Sequence, residues 1–318
     1  MLAVACHEFG SPDVLRVVEL PDLTPAVDEV RVRVHAATVN PADVQYRAGR
    51  YAQAVRGAPA PFIGGLEFAG TVDRVGDHAT WNIGDRVIGM TKFIPNGRGC
   101  HAEQVLVHSE SLAALPRCGR FPEYATLPMS GLTARQALDR LAVRPGMTFV
   151  VTGAAGAVGA YIVKLASREG MNVIGVSAAS DEDFVRECGA GCFVPRGDSA
   201  LAEIRTAYPD GVDGVFDLAI IGEPVTRVLA PGGRIACFKP YQPGLYTSVE
   251  ADIISVREYL REAHKLHQLA TLAESGQLRL RVAETVRFQD AASAHRLLER
   301  GGLRGRIVLD FSSANEPG

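Results

Sequence analysis

The sequence predicts an α/β protein in two parts, a compact and mostly β domain followed by a domain built on a parallel sheet. Three observations predict it. The first ~115 residues alternate apolar and polar side chains with period two, and Gly and Pro punctuate them at short intervals. From Leu127 onward, apolar runs without alternation take turns with helical segments, as strands buried on both faces and their crossovers do. Between the first such run and the first such helix lie Gly153, Gly156 and Gly159.

The elements follow in order. "EVRVRVHAATV", residues 29 to 39, places Val30, Val32 and Val34 on one face and Arg31, Arg33 and His35 on the other, which predicts a half-buried strand. "GDRVIGM" and "AEQVLVHSESLAALP" continue the β pattern. "LPMSGLTARQALDRLAVRPG" reads as a helix ended by Pro145-Gly146. "MTFVVTG" is a buried parallel strand. "NVIGVSA", a helix from Asp181, "GCFVPR", a helix from Ser199, "GVFDLAI", a helix from Glu223 and "GRIACF" complete the alternation, with right-handed crossovers expected. A long helical segment is expected from Val249 to Ser275, then a strand, a helix and a last strand, "GRIVLDF", able to pair with either domain. "SSANEPG" reads as a loose tail.

Composition narrows the function classes. The chain has 318 residues, enough for two domains, with 47% apolar and 22% charged side chains. Its 33 basic and 36 acidic residues give a net charge of −3, which does not suggest a nucleic-acid footprint and leaves small molecules or proteins as partners. No apolar run approaches the ~20 residues of a membrane helix. "MLAVACHEFG" lacks the form of a signal peptide. Six scattered cysteines without a CxxC pair fit a reducing cytosol, so a cytoplasmic protein is expected.

"VVTGAAGAVGAYIVKLA" predicts a dinucleotide site. Gly153, Gly156 and Gly159, with Ala157 and Val158 between the last two, follow an apolar strand and open a helix. Missing Cβ atoms let the backbone turn and approach a pyrophosphate, and the helix N-terminus faces the anion. At the end of the next strand stands Ser177, where an Asp or Glu would bind the ribose hydroxyl of NAD. Asp181 to Asp183 read as a helix first turn, with Ser180 as N-cap and Asp183 at N3. A small hydroxyl residue leaves room for a 2′-phosphate and adds a donor, and Arg196 supplies charge or is a solvated loop arginine. NADP(H) is therefore expected over NAD(H).

Several motifs now stand in order: "AATVNPADVQYRAGRY", "GGLEFAGTVDRVG", "WNIGDRVIGM", "MSGLTARQAL", "VTGAAGAVG", "LAPGGRIACF" and "FQDAASAHRLLERGGLRGRIVL". Together they resemble the medium-chain dehydrogenase/reductase superfamily over nearly the whole chain, and most of all its zinc-independent quinone oxidoreductase branch. The resemblance implies a GroES-like catalytic domain over 1–120, a Rossmann domain over 121–260, and a return to the catalytic domain over 261–318. It also implies a homodimer through Rossmann sheet edges. Zinc-dependent members carry a catalytic Cys and a Gly-His-Glu; those positions look like Asn40 and Gly65-Leu66-Glu67, and neither Asn nor Leu is a plausible zinc ligand. The four-cysteine zinc lobe is absent, and adjacent Cys100-His101 lacks convergent partners, so no zinc is expected.

Without a metal, an alkoxide is hard to stabilise at neutral pH, whereas a conjugated acceptor spreads charge onto a distant oxygen. An NADPH-dependent reductase of quinones or α,β-unsaturated carbonyls is the expectation. The alternatives are a tailoring reductase of an enoyl thioester, polyketide or imine, or a cofactor-binding protein without catalysis. The resemblance puts Asn40 beside nicotinamide and substrate, as an amide donor to an enolate or a cap of its own backbone. It puts Tyr51 at the substrate cleft, as a donor or an aromatic wall, with Gln45 in place of a second tyrosine. Thr133 approaches the nicotinamide or packs its helix. Ile220, Phe238 and Arg306 line the cofactor, unless Arg306 covers a sheet edge. "FKPYQPGLYTSVE" lies near the substrate side and suits the tailoring alternative. Glu67, a charge in an apolar run, is a structural bonding group, a proton relay or a metal ligand.

Overall fold

A computed structural model describes residues 1–238 and 244–312. The expected tail beyond Ser312 and part of the "FKPYQPGLYTSVE" stretch, residues 239–243, lie outside the described residues. The chain divides into two units, Met1–Met129 with Leu260–Gly318, and Ser130–Tyr259.

The first unit contains β1 (Leu2–Cys6), β2 (Arg16–Glu19), β3 (Glu29–Val39), α1 (Pro41–Arg47), β4 (Phe62–Ile63), β5 (Glu67–Val75), β6 (Arg86–Met90), β7 (Gln104–His108), β8 (Leu112–Ala114) and α2 (Phe121–Tyr124). α3 (Pro128–Arg140) carries the chain into the second unit, and the division falls within it. The expected edge at 120 therefore moves past α2, whose helix packs on β3 and β5.

The second unit holds β9 (Thr148–Thr152), α4 (Ala157–Arg168), β10 (Asn172–Ser177), α5 (Glu182–Glu187), β11 (Cys192–Pro195), α6 (Ala200–Ala207), β12 (Val212–Asp217), β13 (Leu229–Phe238) and β14 (Ala251–Ile254). All six strands are parallel, in the order β11-β10-β9-β12-β13-β14. Chain order reverses between β9 and β12, which makes the crevice above their carboxyl ends the ligand position of such a sheet. Val150, Ile174, Val215 and Ile235 fill its core.

Three sequence expectations are corrected here. The Glu223 helix is a 3-10 turn, Glu223–Val228, where Pro224 and three β-branched residues disfavour a longer α-helix. The long Val249–Ser275 helix breaks into β14, a 3-10 turn and α7 (Ala263–Glu274). β13 offers its open edge there, and Ile253-Ile254 suit a strand better than a helix. The N-cap of α5 is Asp181, not Ser180, because a 3-10 turn over Ala179–Asp181 comes first.

The chain re-enters the first unit with α7, β15 (Val282–Arg287), α8 (Ala291–Arg300) and β16 (Arg306–Asp310). "GRIVLDF" joins the first unit: β16 pairs parallel with β15 and antiparallel with β3. β3 is the organising strand, bonded to β5 along one edge and to β7 and then β16 along the other. Its apolar face meets Phe68, Phe288 and Phe311, the last two stacked at 4.7 Å. Arg31, on the opposite face, forms a two-pronged bond to Asp73 at 2.8 and 3.0 Å.

Candidate functional site

Strand register builds the site in the first unit. β3 and β5 pair Ala37 with Phe68, so the next residues out are Thr38 and Glu67. β3 and β16 pair Val39 with Ile307, so the next are Asn40 and Arg306. Four side chains from three strand ends therefore converge. Glu67 is completely buried, and both its oxygens are filled. Oε1 accepts from Thr38 Oγ1 at 2.5 Å, Arg306 Nη2 at 2.6 Å and Asn40 Nδ2 at 3.4 Å. Oε2 accepts from the Met129 amide at 2.8 Å. Arg306 also donates to Asn40 Oδ1, and Asn40 Nδ2 donates to Thr38 Oγ1 at 3.0 Å. The guanidinium is thus the counter-charge that lets a carboxylate stay buried. Its Nε is buried and has no acceptor among the described residues.

This donor set does not fit a metal. The carboxylate is saturated by four protein donors, one of them a cation, and its neighbours Asn40 and Leu66 offer no thiolate or imidazole. Cys100 and His101 turn to the backbone instead. Cys100 Sγ donates to the Glu67 carbonyl at 3.3 Å, and burial pushes its thiol well above the ordinary range. His101 Nε2 donates to the Thr38 carbonyl at 3.0 Å. Among the described residues, no group of three or more His, Cys, Asp or Glu side chains is placed to hold a metal.

Asn40 is fully buried with its amide engaged by Thr38, Glu67 and Arg306, so it has no donor left for an enolate. It opens α1, where Asp43 accepts from its backbone N–H at 2.8 Å. Tyr51 stands apart from this quartet. It is half-buried, donates to Gln45 Oε1 at 3.3 Å, and tilts against Phe93. Gln45 therefore pairs with Tyr51 rather than simply replacing a tyrosine.

The second unit carries the residues expected to hold a dinucleotide. Gly153 has φ +65°, and a Cβ on Gly159 would meet the Gly153 carbonyl oxygen at 2.3 Å, so both positions exclude a side chain. Gly156 caps α4 without a side chain and is exposed, and Ala157 and Val158 are partly exposed. The first-turn amides of such a helix lack intrahelical acceptors, which suits a pyrophosphate. This cradle fits a nicotinamide dinucleotide.

Ser177 ends β10, and its hydroxyl donates to Asp181 Oδ2 at 2.9 Å, both side chains being buried. The hydroxyl expected as a donor to a 2′-phosphate is committed to a carboxylate four residues on. Arg196 is exposed, its backbone N–H bonds the Ser177 carbonyl at 2.6 Å, and its guanidinium has no ion-pair partner among the described residues. Phe238 is buried at the end of β13, and Thr133 is buried in α3. Ile220 has φ +55° in the loop after β12.

Sequence reasoning missed Thr38, the Met129 amide and Asp181 as partners. Thr38 could have been found, since it lies two residues from Asn40 on the same strand face.

Two families match the chain: the alcohol dehydrogenase GroES-like domain over residues 26–136 and the zinc-binding dehydrogenase over residues 189–309. Quinone oxidoreductase-like protein 2 of Rattus norvegicus is 35% identical, covering 80% of this chain and 72% of its own length. The 2-methylene-furan-3-one reductase of Solanum lycopersicum is 26% identical over 97% of this chain and 79% of its own. Among solved structures, the quinone oxidoreductase from Coxiella burnetii superposes with a TM-score of 0.86 at 28% identity, over 98% of this chain and 99% of that one.

Proposed function

The chain belongs to the medium-chain dehydrogenase/reductase superfamily, and from that premise we propose an NADPH-dependent, zinc-independent reductase of conjugated acceptors, quinones or α,β-unsaturated carbonyls. Its family is one of nicotinamide-dependent oxidoreductases. The observation that carries the proposal is the Glu67 quartet, in which a guanidinium occupies the carboxylate that a metal site would need free. When bound, the nicotinamide supplies hydride. The Gly153–Gly159 turn grips the pyrophosphate. Arg196 reaches the 2′-phosphate, and the unused donors of Arg306 turn to cofactor phosphate. Thr133, Ile220 and Phe238 border the cofactor. The Tyr51 hydroxyl gives up its bond to Gln45 Oε1 to donate to the developing oxyanion, while Asn40 and Glu67 hold Arg306 in place. Conjugation in the acceptor carries the rest of the charge.

A second reading of the cofactor has its own observation. The buried Asp181 carboxylate beside Ser177 suits the ribose hydroxyls of NADH. A tailoring role on an enone intermediate stays within the same chemistry, as the named substrate of the tomato relative illustrates. We also place the protein in a reducing, cytoplasmic compartment, consistent with six free cysteines, and as a homodimer formed along the open edge of β14, where Ile253 is exposed.

NADPH absorbance tests the proposal, read against a panel of quinones, enones and saturated ketones with and without a zinc chelator. Turnover of conjugated acceptors alone, unchanged by chelation, is expected. Turnover confined to saturated alcohols and ketones, or lost on chelation, overturns it. Arg196→Glu should shift the NADPH:NADH ratio of kcat/KM at least about tenfold toward NADH, the worth of one charge-assisted bond.

A further inference from the structure

The second unit contains another buried carboxylate that the cofactor reading leaves unused. Asp217 closes β12 and is fully buried. Its Oδ1 accepts from Thr152 Oγ1 at 2.8 Å and the Ile221 amide at 3.1 Å. Its Oδ2 accepts from the Gly222 amide at 2.9 Å and the Tyr246 hydroxyl at 2.8 Å. Thr152 Oγ1 in turn accepts from the Ala219 amide at 3.0 Å. Three of these donors are backbone groups of the loop 218–222, so the carboxylate and its threonine dictate the path of that loop.

The path is one the loop would not choose alone. Ile220, β-branched, sits at φ +55°, and Gly222 at φ +80°, ψ −148°. Such conformations persist where the surroundings over-determine them, and they collect at ligand clamps. A second layer holds the loop from behind. The Leu245 side chain lies where a Cβ on Gly222 would come within 2.7 Å, and Glu223 accepts from the Thr247 amide at 2.6 Å and Ser248 Oγ at 2.5 Å. From that stretch the Tyr246 hydroxyl reaches Asp217 itself.

The location gives the loop a task. It follows β12, across the strand-order reversal from β9, and Leu218 Cβ and Ala219 N lie 3.5 and 3.7 Å from where a Cβ on Gly153 would stand. The adenosine half of a dinucleotide belongs on the β9-β10-β11 side and the nicotinamide half on the β12 side. We propose that Asp217 is a positioning residue that holds the loop 218–222 in the form that meets the nicotinamide half of the cofactor, with Tyr246 as its lock. This role rests on the reductase reading above.

Tyr246→Phe removes one hydroxyl donor and keeps the ring, while Asp217→Asn turns an amide toward donors. Calorimetric titration of the full chain with NADPH and with 2′,5′-ADP, the adenosine fragment, tests the role in both variants, with circular dichroism to confirm the fold. NADPH should bind at least about tenfold more weakly to Tyr246→Phe while 2′,5′-ADP stays within about twofold of wild type. KM for NADPH should rise more than kcat falls. Should Asp217→Asn fail to fold, Tyr246→Phe decides alone. Unchanged NADPH affinity in folded variants, or parallel loss of dinucleotide and fragment, overturns the role while leaving the reductase reading intact. A wild-type protein that binds neither NADPH nor NADH overturns both.

Discussion

Replacing Arg306 by Met probes the quartet most directly. Glu67 has no solvent exposure, and the Arg306 side chain is 11% exposed, so the pair is poorly screened. Removing the cation leaves a buried carboxylate with its threonine, asparagine and amide donors only. Breaking a buried pair from one side costs about 3–5 kcal/mol, and the remaining donors put this case near the lower end, about 3 kcal/mol. For a unit of this size, that corresponds to a Tm lowered by roughly 6–12 °C. Glu67→Gln should cost a similar amount, because its amide must face either the Met129 N–H or Arg306. The double variant, which has neither charge, should recover about 2 kcal/mol relative to the sum of the singles. Urea unfolding of all four proteins, followed by circular dichroism, gives the coupling energy. An additive double variant, or an Arg306→Met protein within about 0.5 kcal/mol of wild type, would refute the assignment. Turnover of Glu67→Gln decides its role: retained activity in a less stable protein marks a structural carboxylate, and lost activity in a stable one marks a proton relay.

Acid stability should report His295. Its ring is buried, neither nitrogen has a hydrogen-bond partner among the described residues, and burial first, then His101 and Arg47, hold its pKa down to about 3. The folded state therefore keeps it neutral while the unfolded state takes a proton below about 6.5, so stability is full above that pH and falls by about 1.4 kcal/mol per unit toward pH 3. His35, lowered mainly by burial, adds in the same direction. His295→Leu should flatten urea midpoints between pH 6.5 and 5, and an unchanged slope would contradict the assignment. Gly159→Val should abolish dinucleotide binding by calorimetry, since its side chain would strike the Gly153 carbonyl; binding at wild-type affinity would mean the turn is not the cradle.

Much of the fold was legible because it rests on local patterns. The apolar, non-alternating runs at Met147–Gly153 and Asn172–Ala178 read as parallel strands, and they are. Glu67, Asn40 and Arg306 could each be singled out by residue type and motif. Their convergence could not, because it depends on two registers joining residues 29 and 266 positions apart, and nothing local encodes a register. The Ala251–Ile254 strand was hidden for a related reason: only the open edge of β13 makes a strand of a segment that reads as the start of a helix. Asp217 shows a different failure. A charge inside "GVFDLAI" is the same kind of anomaly as Glu67, but its donors are loop amides and a tyrosine 29 residues on, which no local pattern shows.

The quartet also explains why a carboxylate persists where a metal site would need further ligands. Glu67 and Arg306 cancel in charge, and their contacts reach both β5 and β16 from β3. Deleting either one alone strands the other, whereas replacing both with apolar residues would remove the link that ties the ends of three strands together. A neutral pair of this kind has no net charge with which to stabilise an alkoxide. Under the proposed function, the burden passes to the acceptor, which must delocalise its own negative charge, and to the few donors that remain uncommitted. Among the described residues, Arg306 Nε is buried and has no hydrogen-bond partner. Such an atom is costly while unpaired, and under the proposed function the cofactor phosphate that Arg306 meets would satisfy it.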